Sequence, residues 1–275
     1  MPDNCAEPGF LPPLLAIFLA DCTCTTSQLV LNLLDVAQRV GELFVRNIFA
    51  VGVCLLAACG SLPAATLFGV CGTGFSGFTG TSCGTEVLPG GSRTDGNFSL
   101  TSAPSGEGIS TPISPFVTSI TGFPIGDGNW LADSLTSLWI SPKSTEQSSD
   151  TPGTYIYQET FTISAAESPN TAEIVGMWAA DNDGTIMLNG ITVGTAITGT
   201  GGFNHYTDFT ITSGFVEGEN FLDFVVTNNS SGSPNVTGLR VNITSATISL
   251  PEPATFGIAG LGLVALGILG RRLRS

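Results

Sequence analysis

Through the middle of this chain apolar side chains return at every second position, and a segment with that period can bury one face only as a β-strand. Leu222, Phe224 and Val226 alternate with Asp223, Val225 and Thr227, and Leu239, Val241 and Ile243 alternate with Arg240, Asn242 and Thr244. In a third strand Tyr155, Tyr157, Glu159, Phe161 and Ile163 share one side, against Ile156, Gln158, Thr160 and Thr162 on the other. The runs Glu173 to Ala180, Thr185 to Leu188 and Ile191 to Thr195 are separated by Asp181-Asn182-Asp183-Gly184 and by Asn189-Gly190. They read as a three-strand meander with Asp-Gly and Asn-Gly reversals. No long helical period interrupts these strands. The expected fold is all-β, a single antiparallel β-sandwich or jelly roll, flanked by an N-terminal signal helix and a C-terminal transmembrane helix.

Residues 66–250 carry three basic side chains, Arg93, Lys143 and Arg240, against sixteen acidic ones. The whole chain has a formal charge of −14, so a nucleic-acid backbone would be repelled and nucleic-acid binding is excluded. The same span holds two cysteines, Cys71 and Cys83, which in an exported chain read as a disulfide closing a Gly-rich loop.

The two ends read as addresses. Residues 45–65 place Arg46 before an apolar run from Ile48 to Ala58 and small residues at Pro63-Ala64-Ala65, the order of a secretory signal peptide with cleavage after Ala65. Leu56-Ala57-Ala58-Cys59-Gly60 also resembles a bacterial lipobox, so lipoprotein processing at Cys59 is the alternative. Residues 1–44 include an amphipathic pattern over 27–43, capped by Thr26 or Ser27. This extension is either a partner-binding helix or sequence upstream of the true start.

At the other end Pro251-Glu252-Pro253 precedes an apolar stretch from Phe256 to Gly270 and a basic cluster of Arg271, Arg272 and Arg274. Seventeen residues from Ala254 to Gly270 would rise about 25 Å as a helix, slightly short of the bilayer hydrocarbon. The positive-inside rule keeps the arginines cytoplasmic and everything before Pro251 outside. This tripartite tail, residues 250–275, resembles the PEP-CTERM sorting signal of Gram-negative bacteria. The resemblance implies recognition by an exosortase, transient anchoring in the inner membrane, processing near the signature, and delivery to the cell envelope or outside the cell, often in producers of exopolysaccharide.

Between the addresses, residues 66–94 read as a Gly-rich lead-in and 95–249 as the sandwich. Within it, Asp95 to Thr247 resembles galactose-binding-like jelly rolls of secreted bacterial proteins, on Asn97 to Pro104, Gly126 to Ile140, Met177 to Gly190, Gly214 to Val226 and Thr237 to Val241. The resemblance implies a non-catalytic binding or structural module.

Chemistry-bearing residues are few. A single histidine, His205, cannot build a His-rich zinc site, and no Gly-x-Ser-x-Gly elbow follows a strand. Asp181 and Asp183 begin like a calcium loop, but Gly184 comes early and Thr192 stands where a bidentate Glu is required, so a tight turn is expected there. No cofactor is expected, although jelly rolls accommodate a structural calcium ion. Trp130 and Trp139 flank a loop and are the candidates for stacking on sugar rings, with core packing as the other reading; Trp178 reads as core. The expected function is an exported surface or matrix protein, not an enzyme, that binds glycan such as exopolysaccharide or serves as matrix. The alternative is a secreted hydrolase of polysaccharides or esters.

Overall fold

The alternating segments form two antiparallel sheets in the computed structural model of the chain. It describes residues 64–87, 93–144, 149–199, 201–230 and 235–250, all within one compact unit spanning 63–251. The signal segment, the 27–43 pattern and the sorting tail lie outside the described residues. Among the described residues no helix is long and apolar enough to cross a membrane.

The strands are β1 (Ala65–Thr66), β2 (Phe98–Ser102), β3 (Phe116–Val117), β4 (Ile140–Ser141), β5 (Gly153–Ile163), β6 (Glu173–Asp181), β7 (Asp183–Leu188), β8 (Ile191–Ile197), β9 (Thr207–Ile211), β10 (Gly218–Asn228) and β11 (Gly238–Ile248). The first sheet runs β3-β4-β11-β6-β9, with β1 added beside the end of β11; the second runs β2-β5-β10-β7-β8. β5 and β10 pair without a slip from Gly153↔Asn228 to Ile163↔Gly218. This register puts Tyr155, Tyr157, Phe161 and Ile163 beside Leu222, Phe224 and Val226 on the buried face, as a period of two requires. Phe224 is the hub between the sheets: the rings of Trp178, Phe98 and Phe209 lie 5.5, 6.0 and 6.0 Å from its own.

Two local expectations are corrected. First, β6 and β7 are not neighbours in a meander, because β6 pairs with β11 and β9 while β7 pairs with β10 and β8. The Asp181–Gly184 segment therefore crosses between sheets. Gly184 sits inside β7, where an added Cβ would stand 2.8 Å from the Trp178 ring and 2.9 Å from the Val225 carbonyl, so close packing rather than turning demands glycine. The Asn189-Gly190 reversal does join β7 to β8, with φ of 52° and 80°.

Second, the lead-in is part of the sandwich. Ala65 and Thr66 pair with Ile248 and Thr247, and Leu67 and Val70 enter the core. Thr73 clips it to the first sheet: its hydroxyl donates to the Leu138 carbonyl at 2.6 Å and accepts the Val241 N–H at 3.0 Å. The buried Asp95 carboxylate then ends the lead-in by accepting the N–H groups of Gly74, Phe75, Asn97 and Phe98. Glu159, the acid on an otherwise apolar face, accepts the Cys71 N–H at 2.7 Å, and complete burial pushes its carboxyl well above the usual range.

Cys71 and Cys83 are joined by a disulfide across twelve residues. Closing a loop of that size restricts the unfolded chain by about 3 kcal/mol. Replacing both cysteines with serine should therefore lower Tm by about 5–10 °C in calorimetry; an unchanged Tm would show that the loop is held by its hydrogen bonds alone.

Candidate functional site

The outer face of a sandwich sheet ordinarily meets solvent, but β6 and β11 are buried on both faces where Trp178 to Asp181 and Gly238 to Val241 run. What covers them is the connection between β3 and β4, residues 118–139. It lies over the outer face of the first sheet and builds a second apolar cluster from Ile125, Trp130, Trp139, Ala179 and Val236, flanked by Phe123, Leu131, Phe203 and Tyr206.

This layer decides the role of the two tryptophans proposed as sugar platforms. Trp130 and Trp139 are 4% and 0% exposed, and their rings pack on each other at 4.4 Å. Each indole N–H is also taken: Trp130 donates to Asp181 Oδ2 at 2.9 Å and Trp139 to the Leu131 carbonyl at 2.7 Å. Neither ring offers a face to a ligand. They fix the covering layer to the sheet, and the sugar-stacking role is withdrawn. Trp178 lies in the main core, as its strand position implied.

Arg240 holds the same layer from below. It projects from β11 and is 1% exposed. Its guanidinium donates to Ser137 Oγ at 3.0 Å, Ser134 Oγ at 2.9 Å, and the carbonyls of Leu131 and Ala132. The Tyr206 ring covers it at 5.1 Å. One strand residue thus fixes the path of the chain from Leu131 to Ser137.

That path brings Asp133 to the lining of an open cleft. Glu86, Ile120, Ile125, Gly126, Ala132, Asp133, Ser134, Leu135 and Leu138 line a volume of about 540 Å³. Leu135 and Ile120 stand 83% and 51% exposed, and exposed branched side chains gathered at a concavity mark contact surfaces. The Asp133 side chain is only 8% exposed. Its Oδ1 accepts the Trp139 N–H at 3.0 Å, whereas its Oδ2 is buried without a hydrogen-bond partner. Arg240 approaches only to 4.0 Å. Burial pushes the carboxyl up to about 6; the Trp139 N–H and Arg240 oppose the rise, and the Glu86 charge adds to it.

Other buried carboxylates are tied into the fold, although Glu159 Oε2 and Asp183 Oδ1, like Asp133 Oδ2, have no hydrogen-bond partner. At one end of the sandwich Glu107 accepts from Thr151 N–H at 2.5 Å and Tyr155 OH at 2.7 Å, and pairs with Lys143. Lys143 also lies 3.4 Å from Asp150, whose other oxygen accepts the Thr237 N–H at 2.8 Å. Burial raises Asp150 to about 7, whereas Glu107 is held low despite burial by Lys143 and its other donors. This network ties the loops before β5 and β11 together.

The calcium-like pair is bonded within the fold at three of its four carboxylate oxygens, Asp183 Oδ1 being the one without a partner. Asp181 receives the Trp130 indole on Oδ2 and the Asn182 amide on Oδ1, and Asn229 donates its side-chain amide to Asp183 Oδ2 at 2.9 Å. Burial raises Asp181 to about 7. Among the described residues no three His, Cys, Asp or Glu side chains gather as a metal site. His205 is exposed, with Nδ1 2.7 Å from the neighbouring Asn204 Oδ1.

These observations define a two-sheet antiparallel β-sandwich with a covering layer and a cleft at its edge. No family model and no characterised protein matches the chain. Among solved structures, an FMN-binding β-glucuronidase from Facaelibacterium prausnitzii L2-6 is 19% identical over 52% of this chain, with a TM-score of 0.29. The overlap spans 21% of that enzyme, about a fifth of its length. A CBM35 from Cellvibrio japonicus Abf62 is 13% identical, covering 56% of this chain and 91% of its own, with a TM-score of 0.23. A family 35 carbohydrate binding module from an environmental isolate is 12% identical, covering 56% and 90%, also with a TM-score of 0.23. Overlaps of this size and score bear on neither ligand nor activity.

Proposed function

We propose that the chain is an exported envelope or matrix protein, sorted through its Pro251-Glu252-Pro253 tail by an exosortase, whose sandwich binds glycan without turning it over. The observation that carries the binding reading is the cleft itself, lined by exposed Leu135 and Ile120 together with Glu86, Asp133 and Ser134. Branched apolar side chains suit the C–H faces of a pyranose, and the exposed Glu86 carboxylate beside them accepts hydrogen bonds from sugar hydroxyls.

The test uses the full chain in mild detergent and the host's exopolysaccharide. Retention should be in the micromolar range and fall about tenfold on Leu135→Ser, which removes the most exposed apolar surface of the cleft without changing its charge. Trp130→Phe should leave the cleft's affinity within a few-fold, because that ring faces the sheet. Absence of retention would leave a purely structural matrix role. The hydrolase reading draws on Asp133, whose carboxyl near 6 beside Glu86 resembles a general acid with a second carboxylate. Shortening of the polysaccharide, abolished by Asp133→Asn, would favour it; the account here expects none. For sorting, deletion of Pro251 to Pro253 should leave the chain in the membrane fraction.

A further inference from the structure

We infer that Lys143 and Asp150 condense into an intramolecular amide, a covalent staple between the end of β4 and the approach to β5, with Glu107 moving the protons. Lys143 is the only lysine in the chain; every other basic side chain is an arginine. An arginine would bridge two carboxylates with its planar fork. What a lysine adds is an amine that can give up a proton and attack carbon. This amine lies between two buried acids, for the Glu107 and Asp150 side chains are 0% and 5% exposed.

The three groups are positioned by separate contacts. The Ser149 carbonyl accepts from Lys143 Nζ at 3.1 Å and keeps it beside Asp150, whose Oδ1 lies 3.4 Å away. Amine and carboxyl therefore meet without the encounter that two separate reactants need. Asp150 Oδ2 accepts the Thr237 N–H at 2.8 Å, a donor that stabilises charge gathering on that oxygen as nitrogen adds. The Thr151 N–H and the Tyr155 hydroxyl both donate to Glu107 Oε2, so among the described residues Oε1 has only the Lys143 ammonium. Burial and the Glu107 charge favour the acid form of Asp150, which can release its hydroxyl as water. Pairing makes Lys143 hold its proton firmly, so that proton passes to Glu107 as the bond forms.

Glu107 takes one proton from the ammonium, and the freed lone pair bonds to Asp150 Cγ while the carbonyl electron pair moves onto Oδ2. Glu107 then protonates the Oδ1 hydroxyl, the Cγ–Oδ1 bond breaks, and water leaves as the carbonyl re-forms. The second proton shed by nitrogen ends on Glu107. An ammonium, a carboxylic acid and a carboxylate thus become an amide, a water and a carboxylic acid, with no net charge on either side. The product leaves no ion in a buried place and little access for the water that would reverse it. Once joined, Asp150 no longer titrates, and Asp133 and Asp181 supply the acid stabilisation.

The experiment is tryptic mapping of the full chain after denaturation and reduction. Arg93, Lys143 and Arg240 are the basic residues of 66–250, so an unreacted chain yields peptides 94–143 and 144–240. Trypsin does not cut after an acylated lysine. The expected product is one peptide, 94–240, lighter than its sequence by one water, about 18 Da, with fragmentation joining Lys143 to Asp150. Glu107→Gln should reduce the yield of this peptide about tenfold or more, and Lys143→Arg should restore cleavage at 143 and the unmodified masses. Peptides 94–143 and 144–240 at unmodified mass from the parent chain overturn the inference, however the variants fold. A bond mapped to Glu107 overturns Asp150 as the acceptor, and full yield in Glu107→Gln overturns the proton-carrying role.

Discussion

Arg240→Ala should lower the stability of the sandwich by about 3–5 kcal/mol, which is a fall in Tm of roughly 10 °C or more for a domain of this size. The reasoning is local. The side chain is fully buried, and its removal strips donors from two carbonyls and two hydroxyls in one connection. It also removes the guanidinium that lies 4.0 Å from Asp133. The loss should concentrate in residues 118–139, so tryptophan fluorescence from Trp130 and Trp139 should redden before the strand signal in far-ultraviolet circular dichroism falls. Arg240→Lys should recover little, because an ammonium cannot reproduce a planar fork directed at four acceptors. A variant as stable as the parent would mean that the covering layer is held by its apolar cluster alone.

Acidification should stabilise the protein. Burial holds Asp133 at about 6 and Asp150 and Asp181 at about 7, all above an ordinary Asp value of 3.8. Groups raised in the folded state bind more protons folded than unfolded, so their contribution is lost as pH rises through the folded values and is complete below the unfolded one. Each faces different neighbours: Glu107 and Lys143 for Asp150, the Trp130 indole for Asp181, and Arg240, Glu86 and the Trp139 N–H for Asp133. Glu107 runs the other way, held low chiefly by Lys143 against its own burial, and its contribution is lost as pH falls through its folded value. Stability should therefore climb between about pH 8 and pH 5 by a few kcal/mol, or about 5–10 °C in Tm, and decline at more acid pH. Differential scanning calorimetry across that range checks it, and Asp181→Asn should make the climb smaller. A Tm that falls steadily from pH 8 to pH 5 would contradict the burial of these carboxyls.

Much of the sandwich was legible because alternation reports one buried face. β5 and β10 follow their apolar positions, and Asn189-Gly190 marks its hairpin, whereas β11 is buried on both faces from Gly238 to Val241 and shifts register after Ile243. Where both faces are covered the signal vanishes. Trp178 to Asp181 shows no alternation, so the sequence could not reveal that β6 belongs to a different sheet from β7. The tryptophans misled for the same reason: residues beside a loop look available until a long connection folds back over the sheet. The cleft was invisible because its carboxylates come from distant segments, Glu86 in the lead-in and Asp133 in the covering layer. One clue did exist. Of the three cations in residues 66–250, Arg240 and Lys143 serve buried acceptors, whereas Arg93 is exposed.

Everything about binding depends on the cleft formed where the lead-in meets the β3–β4 connection. Hydrogen–deuterium exchange of the full chain with and without saturating exopolysaccharide locates the contact directly. Slowed exchange confined to residues 73–87 and 118–139 is the expected result. Slowing elsewhere, along the exposed β8 edge or over residues 149–153, with these two segments unchanged, would contradict it.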